Sequence, residues 1–97
     1  MTSYVKLHWP AEPAVVFHHD RLHRLWSDSS GRYQVHELLI GDGTRTVYAY
    51  RLGRMRNRLL GMWRLRSQRP AAVARALGRA RRICETDAAK EGRQERG

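Results

Sequence analysis

The sequence predicts an α+β domain: an antiparallel β-meander of about three to six short strands packed by one C-terminal α-helix. Three observations carry this. Runs rich in β-branched and aromatic residues alternate with Gly, Asp and Ser clusters from about Ala14 to Arg66. After Pro70 the pattern changes to an Ala- and Arg-rich stretch with helical spacing. Ninety-seven residues with 41% apolar content suffice for one modest core and no more.

Taken in order, Tyr4 to Trp9 reads as a short strand stopped by Pro10 and Pro13. Ala14 to Trp26 admits a helix or two strands. As a helix its apolar positions 14 to 17 form a block rather than a stripe, so two strands, AVVFH and RLHRLWS, are the better reading. The second runs into the turn Asp28-Ser29-Ser30-Gly31, which hands over to YQVHELLI, Tyr33 to Ile40. Gly41-Asp42-Gly43 then closes a hairpin to TRTVYAYRL, Thr44 to Leu52. Alternation puts Thr44, Thr46, Tyr48, Tyr50 and Leu52 on one face, with Arg45, Val47, Ala49 and Arg51 on the other. A basic turn, Gly53 to Asn57, leads to a strand over Arg58 to Arg66, where Leu59, Gly61, Trp63 and Leu65 share a face.

The helix is expected from Pro70 to about Thr86, with Ser67 or Gln68 near its start as a cap. Val73, Leu77, Ala80 and Cys84 form its apolar stripe, while Arg75, Arg79 and Arg82 line another face. Residues 1–86 thus make one small basic domain, and 87–97 read as a polar, frayed tail.

Charge is distributed very unevenly. From Arg51 to Cys84 there are eleven arginines and no acid, whereas the first fifty residues balance five basic groups with five acids. The formal net charge of +10 therefore sits almost wholly in one third of the chain. Such a field attracts polyanions and is weakened by salt. Arginine outnumbers lysine seventeen to two, which suits phosphate and guanine recognition but also follows from GC-rich coding. The favoured function is a non-enzymatic nucleic-acid-binding accessory protein, its candidate contacts being Arg54, Arg56, Arg58, Arg64, Arg66, Arg75, Arg79 and Arg82. The partner is then DNA or RNA. The alternative partner is an acidic protein surface, for a small inhibitor or adaptor of a phage or other mobile element. A small ribonuclease-type toxin is a third, weaker reading.

Other constellations carry less. Tyr48, Tyr50 and Trp63 beside arginines suit base stacking, though packing under the helix explains them better. His19 and His23 have a spacing used for zinc only if they share a helix, and nothing completes a ligand set, so no metal or cofactor is expected. No nucleophile triad, paired-carboxylate pattern or phosphate loop is present, which argues against an enzyme. No apolar run exceeds four residues, far short of the roughly 20 that span a membrane. The opening MTSYVKLHWPAEP lacks the features of a signal peptide, and the lone Cys84 fits a reducing compartment, so a cytoplasmic location is expected.

From Tyr33 to Cys84 the order strand–strand–strand–helix resembles two nucleic-acid modules, the three-stranded AP2 and integrase arm-binding type and the double-stranded-RNA-binding domain. The former resemblance implies a sheet laid in a DNA groove. The latter implies a basic run opening the last helix, where this chain has SQRPAA. Both rest on topology, not on motifs.

Overall fold

The computed structural model describes residues 4–66 and 68–96. It shows a five-stranded antiparallel sheet in the order β1-β2-β3-β4-β5, packed against one C-terminal helix. The strands are β1 Ala14–His18, β2 Arg21–Ser27, β3 Tyr33–Ile40, β4 Arg45–Arg51 and β5 Arg58–Leu65, and the helix α1 is Pro70–Arg96. Each strand pairs with its sequence neighbour, so the predicted α+β meander is the observed fold.

The turns follow from their residues. His18 pairs with Arg21, leaving a two-residue loop in which His19 takes a left-handed conformation (φ 55°). Between β2 and β3 the buried Asp28 carboxylate accepts hydrogen bonds from the backbone N–H groups of Ser30 and Tyr33, while Gly31 supplies the positive φ. Gly43, also at positive φ, does the same between β3 and β4.

The helix packs on the face carrying Tyr33, Val35, Val47 and Ala49. It presents Ala76, Ala80 and Cys84, with Val73 buried as well. Small side chains at this seam let the helix backbone approach the sheet closely. The expected stripe is therefore nearly right, but Leu77 is only half-buried, at the stripe's margin, and Ala76 takes the central place. The expected cap Ser67 lies outside the described residues.

Three expectations are corrected. Tyr4 to Trp9 is not a strand of the sheet. It runs extended along the helix: Val5 N–H donates to the Glu85 carbonyl, Leu7 N–H donates to the Glu85 carboxylate, and Leu7 and Trp9 pack on the core. The helix does not end near Thr86 but continues to Arg96, so the segment expected to fray is helical, apart from residue 97, which lies outside the described residues. It is held because Tyr33 Oη donates to Asp87 at 2.9 Å, Arg51 Nε donates to Glu91 at 2.8 Å, and Ala89 is buried.

Third, the alternation expected along β5 breaks. Ala49 pairs with Gly61 but Tyr50 pairs with Leu59, so Leu60 is an extra residue, a β-bulge. Leu60 turns in against the core, and Arg58 reaches Asp87 on the helix side. Leu59, opposite Tyr50, stays half-exposed on the far face.

Candidate nucleic-acid interface

The eight arginines expected to act together do not form one patch. Arg54 and Arg56 are exposed in the loop between β4 and β5. Arg64 and Arg66 lie at the other end of β5, about 20–25 Å away for a strand of eight residues. Arg58 is engaged by Asp87 at 2.7 Å. The Arg82 guanidinium lies 4.8 Å from the centre of the Tyr4 ring, a cation–π contact that orients it along the N-terminal segment. Arg51 stacks over Tyr33 and donates to Glu91, which holds the Glu91 carboxyl below its usual range, the hydrogen bond being the main cause.

What remains is a group of four. Arg75 and Arg79 project from α1 over a groove of about 180 Å³ floored by Trp63, Leu65, Ala72 and Ala76. Leu65 also borders the adjoining depression, which Arg64 and Arg66 line together with Gly43, Thr44 and Asp42. The Asp42 carboxylate accepts the Thr44 N–H at 2.8 Å, and hydrogen bonding from the Thr44 side chain first, then from its N–H, lowers the Asp42 pKa. Among the described residues, none of Arg64, Arg66, Arg75 and Arg79 has an acidic partner. The geometry follows from the sequence: i, i+4 spacing stacks Arg75 above Arg79 on one helix flank, and β5 is an edge strand with nothing beyond it. The first helical turn carries no acid, so the partial positive charge of the helix N-terminus adds to this end.

Trp63 lies under the helix, with its indole folded over Gly61, where an added Cβ would meet the ring at 2.6 Å. Tyr48 and Tyr50 lie on the opposite, uncovered face. The expectation that all three pack under the helix is thus corrected: Trp63 does, the tyrosines do not. The tyrosine rings stack on each other at 5.9 Å, and His36 joins them. His36 also meets His23 at 3.0 Å between ring nitrogens, one of which must donate and the other accept. Burial, and secondly the nearby His23, push the His36 pKa down. His18 and His19 sit at the β1–β2 turn, so His19 and His23 do not share a helix. Among the described residues, no three His, Cys, Asp or Glu side chains gather as a metal cluster.

A buried ionic group escaped notice in the sequence. Glu37, 1% exposed on the helix-side face, lies 2.6 Å from Arg24 Nε and 3.8 Å from Arg45 Nη1. Neither oxygen has an aligned hydrogen bond, so the triad is held by charge. It removes Arg24 and Arg45 from the free surface charge. Among the described residues, no helix is long and apolar enough to cross a membrane.

The chain matches no known protein-family pattern, no curated protein and no solved structure.

Proposed function

We propose that this protein is a non-enzymatic nucleic-acid-binding accessory protein acting in the cytoplasm. The observation that carries the reading is that Arg75 and Arg79 line a groove beside the edge strand and Arg64 and Arg66 line the adjoining depression at the end of that strand, all four without acidic partners among the described residues. Four guanidiniums on two elements form a track for a phosphate backbone, where each can hold two phosphate oxygens. The groove is shallow and its floor apolar, so affinity comes from counterion release rather than from a fitted pocket. Arg54 and Arg56, at the far end of β5, play a lesser part.

A gel-shift titration with generic duplex DNA, single-stranded DNA and RNA tests this at low salt. Binding that weakens steeply as salt rises is the expected result. Absence of binding to all three at low salt overturns the proposal and leaves the groove to an acidic protein surface, the inhibitor or adaptor reading.

A further inference from the structure

The helix and the N-terminal segment cover one face of the sheet except at β1, where Val15 and Phe17 stay exposed, and the other face is uncovered. That second face is not the polar surface an antiparallel sheet normally turns to water. Around the ring cluster of His23, His36, Tyr48 and Tyr50 it carries Val16, Leu25, Leu38, Leu59 and Met62, as the pairing registers place them. Val16, Leu59 and Met62 are 47%, 51% and 51% exposed. A sheet apolar on both faces calls for a layer on each side, and this chain supplies only one.

We propose that the second layer is another copy of the same chain, the two uncovered faces packing into a sheet-on-sheet dimer. Size is the first argument. Five strands about 4.8 Å apart, each about seven residues long at about 3.4 Å per residue, give a face of roughly 24 by 24 Å. That is about 580 Å² in projection, near the roughly 600 Å² per partner at the lower end of stable standard interfaces.

Charge is the second argument, and it separates a second copy from a nucleic acid on this face. The two arginines here, Arg21 and Arg64, both lie at the end bounded by Ile40 and the β3–β4 turn. On the strands the middle and the opposite end, Ser27, Gln34, Tyr50 and Leu59, carry no cation to track a phosphate backbone, and Arg54 and Arg56 lie beyond them in the β4–β5 loop. The same asymmetry fits self-association. A two-fold axis lying between the sheets and perpendicular to the strands sets Arg21 and Arg64 over the partner's Ser27, Gln34, Tyr50 and Leu59 rather than over its Arg21 and Arg64. Among the described residues, no acid of the paired strands lies on this face to repel or bind another element. Aligned sandwiches pack in this way, with inner side chains interleaved across about 10 Å.

The test is the molar mass of the full chain by light scattering on a sizing column, without nucleic acid, at loading concentrations up to about 100 µM, since a Kd in the micromolar range populates a dimer there. The expected mass is twice that of the chain. Met62→Glu, at an already half-exposed position, is expected to give a folded monomer by circular dichroism, and Leu38→Glu the same. Phe17→Glu, on the other face of β1 and 71% exposed, is expected to leave the dimer intact. A wild-type protein that stays monomeric overturns the proposal, as does a Met62→Glu variant that remains fully dimeric. A monomer whose tyrosine fluorescence is quenched by single-stranded DNA overturns it too, giving the face to nucleobases.

Discussion

Replacing Glu37 with leucine isolates the only carboxylate that the sheet buries under the helix among the described residues. The side chain is 1% exposed, and its partners Arg45 and Arg24 are 12% and 36% exposed. Removing one partner of a buried ion pair costs about 3–5 kcal/mol, because the remaining charge is left uncompensated. Arg24 is exposed enough to swing into water, so the loss falls mainly on Arg45 and the lower figure, about 3 kcal/mol, applies. With an unfolding entropy near 2.1 cal/mol/K per residue, that lowers the midpoint of this chain by roughly 15 °C. Thermal unfolding followed by circular dichroism measures it. Changing Arg45→Met in the Glu37→Leu background removes the stranded cation and is expected to recover at least half of the loss. A Glu37→Leu protein as stable as wild type would show that the triad does not stabilise the fold, and a double variant less stable than the single would show that Arg45 is not left stranded.

Cys84 has no exposed surface, and burial foremost, then the charges of Asp28, Asp87 and Glu85, push its thiol up to about 12. It is expected to resist a disulfide reagent in the native state and to react fully on unfolding; rapid native-state labelling contradicts this. Gly61→Val drives methyl groups into the Trp63 ring and is expected to cost about 1–3 kcal/mol by urea titration, with an unchanged midpoint as the contrary result. The Glu91 pKa is lowered by Arg51, so this pair's stability is fully present above pH 4.5 and is lost as pH falls through the folded value. Between about pH 5 and about pH 3, Arg51→Gln should therefore lose less stability than wild type, and equal losses would remove Glu91 from the account.

The meander was legible because its strands and turns are written in local chemistry. YQVHELLI and TRTVYAYRL flank a Gly-Asp-Gly turn, and the residues of each face alternate as a pleat requires. The choice of helix-covered face was not legible from hydropathy. Arg45 and Arg51 flank Val47 and Ala49 and make the Tyr48 and Tyr50 face read as the more apolar one, yet a seam of Ala76, Ala80 and Cys84 fits the smaller side chains. The bulge at Leu60 has no signature in a single sequence, and it alone moves Arg58 and Leu60 to the helix side. Glu37 looked like one acid among five in a balanced segment, because pairing with Arg24 and Arg45 is a matter of cross-strand register. Hydropathy stops the helix near Thr86 because the residues beyond it are mostly polar and charged. Asp87 and Glu91 are nevertheless the partners that Tyr33, Arg51 and Arg58 require. The same register divides an arginine cluster that is continuous in sequence between the two ends of β5.

The role of Arg64, Arg66, Arg75 and Arg79 as one phosphate-binding band is tested most directly by comparing two double variants with equal charge loss. Four phosphate contacts give a log–log salt slope of about −3.6 on duplex DNA, or about −2.8 on a single strand. Arg75→Gln with Arg79→Gln removes two contacts and should flatten the duplex slope to about −1.8. Arg54→Gln with Arg56→Gln, at the far end of β5, should leave the slope near that of wild type. If the two pairs flatten it equally, net charge alone drives binding and the groove is not the site.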